Sequence, residues 1–157
     1  MKNILIYSLF LFASQTIYSQ TKVFKGAWFE IKYPTSFSAT GSLKSISADG
    51  YESAFFKSPD GLVEFYVFSP QWSGEYSDIN LKTNEKLQST ETKKSAYKTL
   101  IYWTIADKNA KYIRSYQETK DESTNWVVGI KYKNQAAYNK YKSIYLKFKA
   151  SLKQFAD

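Results

Sequence analysis

The chain has 157 residues, a formal net charge of +8 from 22 Lys and Arg against 14 Asp and Glu, and neither Cys nor His. Without thiol or imidazole it can form no disulfide, no Cys-His or Ser-His-Asp catalytic set, and no zinc site built on the usual ligands. Its apolar mass is aromatic, with 4 Trp, 14 Tyr and 11 Phe, so the core must be held by ring packing and hydrogen bonds alone.

Residues 1–19, MKNILIYSLFLFASQTIYS, carry Lys2, then an apolar run from Ile4 to Ala13, then a small and polar exit from Ser14 to Ser19. That is the layout of a signal peptide. The run falls short of the roughly 20 apolar residues of a membrane-spanning helix. No Cys follows it to accept a lipid. Cleavage at Ser19 or Gln20 would leave residues 20–157 as one secreted, periplasmic or extracellular domain with no integral membrane segment. It would also remove Met1, the only Met, so the delivered domain would work through Tyr, Lys, carboxylates and a single Arg.

In Ala27 to Tyr33, Phe29, Ile31 and Tyr33 alternate with Trp28, Glu30 and Lys32, which predicts a strand ended by Pro34. Leu43 to Ala48 is a weaker strand candidate before the Asp49-Gly50 turn signal. The segment ESAFFKSPDGLVEFYVFSP reads as a hairpin: two aromatic-rich arms flank Ser58-Pro59-Asp60-Gly61, where Pro presets the turn and Gly takes the positive dihedral. Its second arm has bulk on both faces and is expected to be central. Pro70 to Asn80 is a loop containing Trp72. For residues 81–95 the reading is a helix or turn, with Asn84 capping a short helix to Gln88, and strand afterwards.

Thr99 to Ala106, Lys111 to Thr119 and Asn125 to Lys133 predict three strands with short joins, an antiparallel meander. From Gln135 to Phe155, Tyr138, Tyr141, Tyr145, Phe148, Leu152 and Phe155 recur at spacings of 3, 4, 3, 4 and 3. This is an amphipathic helix capped by Asn134. Strands followed by a terminal helix make an α+β domain: a twisted antiparallel sheet of about six strands packed by the C-terminal helix, with room for a second short helix on the other face.

Strand alternation places Arg114 on one face between Tyr112 and Tyr116. Such a trio can stack on and pair with an anionic or sugar ligand, and the Arg stem can equally serve only to cover the sheet. Tyr112, Arg114, Tyr116 and the loop residue Trp72 are the candidate ligand-binding residues. Lys140, Lys142, Lys147, Lys149 and Lys153 make the outer side of the helix basic, which suits either a solvated face or an anionic membrane surface. The surviving catalytic option is a carboxylate pair, for which Glu30 and Glu64 are the strand-borne acids. Gly-rich phosphate loops and calcium-loop patterns are absent, so no metal or cofactor is expected. The positive charge points to an envelope or extracellular protein or an anionic glycan as partner, and the compartment argues against nucleic acid.

The strand Trp28-Phe29-Glu30-Ile31-Lys32-Tyr33-Pro34 followed by Phe37, the Phe55 to Gly61 hairpin running into Leu62 to Val67, the late strands and a helix closing on Ser151-Leu152 resemble the PsbP/Mog1/DcrB-like superfamily. The resemblance spans most of residues 20–157. It implies a twisted antiparallel sheet between helices and a noncatalytic accessory or binding role, and it transfers no functional residue. A carboxylate-dependent glycan hydrolase and a peripheral membrane-surface protein are the alternatives.

Overall fold

The computed structural model describes residues 20–155, so the expected leader at residues 1–19 lies outside the described residues. The chain runs through β1 (Thr21–Lys25), β2 (Phe29–Pro34), β3 (Ser38–Gly41), β4 (Ser53–Lys57) and β5 (Val63–Phe68). It continues through a single 3-10 turn (Ser77–Ile79), β6 (Glu85–Lys94), β7 (Thr99–Asp107), β8 (Ile113–Lys120), β9 (Asn125–Tyr132), α1 (Gln135–Ala150) and β10 (Lys153–Gln154). The class is α+β, as the sequence predicts. The main sheet has seven strands in the order β3-β4-β5-β9-β8-β7-β6, and β1-β2-β10 form a second sheet of three.

The hairpin forms where its turn chemistry requires. Gly61 takes φ 67, Ser58 N–H donates to Val63 O at 3.0 Å, and Asp60 Oδ1 accepts from Ser58 Oγ at 2.7 Å. The other Asp60 oxygen accepts from Lys140 Nζ at 2.9 Å and Tyr141 Oη at 2.7 Å, which ties the hairpin tip to the start of α1. Burial pushes the Asp60 carboxyl up, but the bonds from Ser58, Tyr141 and Lys140 outweigh it and hold it well below its ordinary value.

One face of the seven-stranded sheet packs against α1 and β2. Alternate residues Ala54, Phe56, Val63, Phe65, Val67, Val128 and Ile130 point into this core and meet Phe29, Ile31, Tyr141, Tyr145 and Phe148. Phe148 closes edge-on against Phe56 with ring centroids 5.1 Å apart. Asn134 caps the helix, its side chain accepting from Ala137 N–H at 2.9 Å. The helix stops at Ala150, short of the predicted Phe155. Ser151 Oγ donates to Phe148 O and accepts from Lys32 N–H, and Lys153 and Gln154 then pair with Glu30 and Phe29 of β2.

On the opposite face, Tyr66, Phe68, Ile79, Tyr116 and Val127 form a second core with Phe55, Tyr76 and Trp103 packed against it. Its cover is the irregular segment 70–84 with the 3-10 turn, not a layer of α-helix. The predicted helix at 84–88 is likewise absent: the strand starts at Glu85, and pairing with β7 along Lys86↔Ala106 to Lys94↔Thr99 overrides the local preference. Asn84 donates instead to Asp107 Oδ1 at 2.8 Å. The Leu43 to Ala48 candidate is no strand either, and only a lone Lys44↔Tyr51 bridge forms there.

Tyr76, Trp103 and Tyr116 stack in succession at 5.6 and 5.3 Å between ring centroids. The Tyr116 ring lies flat over Gly129, its register partner, where a methyl group would come within 2.1 Å of Tyr116 Cδ1. Gly129→Ala is therefore expected to destabilise the domain by about 1–3 kcal/mol through overpacking. Urea unfolding checks this, and the penalty should largely vanish in a Tyr116→Ala background.

Candidate functional site

Neighbouring strands bring Lys57, Glu64, Lys131 and Arg114 into one row across the second face, through the pairs Lys57↔Glu64, Glu64↔Lys131 and Arg114↔Lys131. The alternation that sends Phe56, Phe65 and Ile130 into the helix-side core sends these four to the other side. Two clefts, of about 260 and 370 Å³, share Lys57, Glu64 and Lys131 as a common wall and so form one trough. Lys111, Tyr112, Tyr132 and Lys133 flank one end, and Thr40, Phe55, Lys82 and Tyr116 the other. Lys131 Nζ sits 4.4 Å over the Tyr112 ring. Among the described residues, no carboxylate oxygen lies within 4.0 Å of the Nζ of Lys57, Lys82 or Lys131.

Arg114 plays a different part from the exposed stacking cation the sequence allows. It is only 4% exposed and pairs with Glu85, itself 3% exposed. Arg114 Nε donates to Glu85 Oε1 at 2.8 Å, and Nη2 donates to Glu85 Oε2. The remaining donors reach Ile79 O at 2.8 Å, Asn80 O at 2.9 Å and Tyr116 Oη at 3.0 Å. The guanidinium fork thus fastens the segment before β6 to β8, and its charge is neutralised internally. Tyr112 Oη adds a 2.9 Å bond to Glu85 Oε1. Burial pushes the Glu85 carboxyl up, yet the bonds from Arg114, the Lys82 N–H and Tyr112 prevail and hold it below its ordinary value. Burial also pushes the Tyr116 hydroxyl up to about 12.

Of the four residues expected to bind ligand, the fold brings Tyr112, Arg114 and Tyr116 to the trough. Trp72 stands apart. Its carbonyl accepts from the Asn125 N–H at the other end of β9 from Lys131, about 20 Å along the strand. Sequence reading missed Lys57, Lys82 and Lys131. The signal for the first pair was present, since the Pro-Asp-Gly turn sets Lys57 opposite Glu64.

The other expected sites fall elsewhere. Glu30 lies on β2 and pairs with Lys25 at 3.6 Å, while Glu64 lines the trough, so these two acids do not share a cleft. The apolar stripe of α1 is committed to the core at Tyr141, Tyr145 and Phe148. No helix among the described residues is long and apolar enough to cross a membrane.

The solution structure of cyanobacterial PsbP (CyanoP) from Synechocystis sp. PCC 6803 is similar to this chain, with a TM-score of 0.51 and 9% sequence identity over 87% of this chain and 94% of that one. The fold is PsbP-like. No protein-family model and no curated protein sequence matches the chain. At this identity the likeness extends to architecture and to no side chain of the trough. The PsbP-like frame here is the seven-stranded sheet with α1 on one face and the Arg114-fastened segment on the other.

Replacing Glu85 with Gln leaves a buried guanidinium without its counter-charge and is expected to cost about 3–5 kcal/mol at pH 7, measured by urea unfolding. The Asp60 and Glu85 carboxyls both lie below their ordinary values when folded, so the unfolded chain takes up protons first on acidification. Their contribution is complete above about pH 5 and is lost as pH falls below about 4. The Glu85→Gln variant should show a shallower acid loss than the parent.

Proposed function

We propose that this PsbP-like domain is a noncatalytic accessory or binding protein, delivered outside the cytoplasm by residues 1–19, whose binding surface is the trough on the sheet face away from α1. The observation that carries the reading is the shared wall of the two clefts. Lys57 and Lys131 flank Glu64 there, and among the described residues the Nζ of neither is within 4.0 Å of a carboxylate oxygen. An unpaired lysine at a concave site gains more from an anionic partner than one whose charge is already matched. Aromatic rings on both ends of the trough add apolar contact of the kind that recurs at recognition sites.

A charge-reversed variant, Lys57→Glu with Lys131→Glu, should lose most of the envelope components retained by the immobilised domain. Lys142→Glu with Lys147→Glu on the exposed side of α1 changes the net charge equally and should retain them. Equal recovery from both variants, or loss only from the helix variant, would overturn the placement.

The delivery half of the reading has its own check. N-terminal sequencing of the protein recovered outside the cytoplasm should begin near Gln20. A product that keeps Lys2 and stays in the cytoplasm would refute it.

A further inference from the structure

The row that joins the two clefts specifies more than a positive potential. Lys57, Glu64 and Lys131 stand side by side on β4, β5 and β9, so cation, acceptor and cation follow one another at the strand spacing of about 4.8 Å. The two lysine positions are therefore about 10 Å apart, with a carboxylate midway. Half-buried rings lie on either side, Phe55 at one end and Tyr112 at the other. The hydroxyls of Ser38 and Thr40 line the first end as well.

This pattern sorts ligand classes by chemistry. A compact inorganic anion centred on the row would meet Glu64, which repels it. A uniformly phosphorylated chain has the same difficulty. An extended peptide presents same-face side chains about 7 Å apart, and the next at about 13 Å, so an acidic strand does not match a 10 Å pair. A sugar chain with a carboxylate on its residues offers what the row asks for: anions for the two lysines, hydroxyl donors for the carboxylate between them, and C–H faces for the rings.

We propose that the trough binds a carboxylate-bearing glycan, a uronic acid chain laid across β4, β5 and β9. Its carboxylates meet Lys57 and Lys131, its hydroxyls donate to Glu64, and its ring faces pack on Phe55 and Tyr112. This rests on the reading of the trough as the binding surface. Glu64 separates the proposal from mere charge attraction, because removing a negative charge strengthens a site that only collects anions and weakens one that uses that charge to hold hydroxyls.

Calorimetry at low salt with tetragalacturonate, neutral tetragalactose and an octapeptide of alternating Asp and Ser tests it. Tetragalacturonate should bind and tetragalactose should not. Lys57→Ser with Lys131→Ser should weaken uronate binding by about tenfold or more. Glu64→Ala should weaken it several-fold, and Glu64→Gln serves if the Ala variant does not keep the parent's thermal melt. Absence of uronate binding, tighter binding on loss of Glu64, or peptide binding as tight as uronate binding would each overturn the glycan. If uronate binding fails while the charge-reversed trough still loses its envelope partners, the ligand class falls and the trough survives as the binding surface. If both fail, the surface itself is refuted.

Discussion

The second face of this domain depends on the Arg114–Glu85 pair. A seven-stranded sheet with a helix on one side leaves the apolar part of its other face, Tyr66, Phe68, Tyr116 and Val127, to be covered, and no second α-helix among the described residues covers it. The covering segment, residues 70–84, is irregular apart from the 3-10 turn at Ser77–Ile79 and does not satisfy its backbone groups internally as an α-helix does. Arg114 resolves both problems at once by accepting Glu85 as counter-ion and giving its remaining donors to Ile79 O and Asn80 O. Three further ties hold the same segment. Asp78 accepts from Ser53 and Tyr66, Glu118 accepts from Tyr76, and Asn125 exchanges two bonds with Gly74. Each of these bonds is only modestly favourable in water-exposed settings, but a buried donor or acceptor left unmatched is costly, so the set locks together.

That arrangement also decides which charges remain for function. The guanidinium has the rigid fork suited to buried, bidentate pairing and is spent on the fold. The ammonium groups of Lys57 and Lys131 at the trough are flexible point charges with no carboxylate oxygen within 4.0 Å among the described residues. The division explains why the residue that looked most like a ligand contact in the sequence is structural. It also explains why plain lysines, easily dismissed as a solvated coat, form the wall common to both clefts.

Local signals in the sequence located most elements. The Pro-Asp-Gly turn, the three-strand meander and the stripe from Tyr138 to Phe148 all rest on contacts between residues close in sequence. Period and turn chemistry report such contacts directly. What was illegible was nonlocal. The pairing of β5 with β9 joins Glu64 to Lys131 across a long stretch of intervening chain, and no spacing rule announces it. The fate of residues 84–88 was undecidable for the same reason: Asn84 has a sound capping pattern for a helix, and only the presence of β7 alongside turns Glu85 onward into a strand. Burial of Arg114 was hidden too, since its counter-ion lies 29 residues upstream.

The same composition that excludes most catalytic chemistry shapes how such a face would behave. His is the side chain that ordinarily changes charge near neutrality, and the chain has none. The row across β4, β5 and β9 is built from lysines and a carboxylate. Attraction between such charges and an anion depends on ionic strength, because screening acts over about 10 Å at 0.1 M salt, the width of the row itself. The acid limit arises in the scaffold, where protonation of Asp60 and Glu85 releases the hairpin tip from α1 and the covering segment from β8. Salt dependence therefore reports on recognition, and unfolding on acidification reports on the frame that positions the lysines.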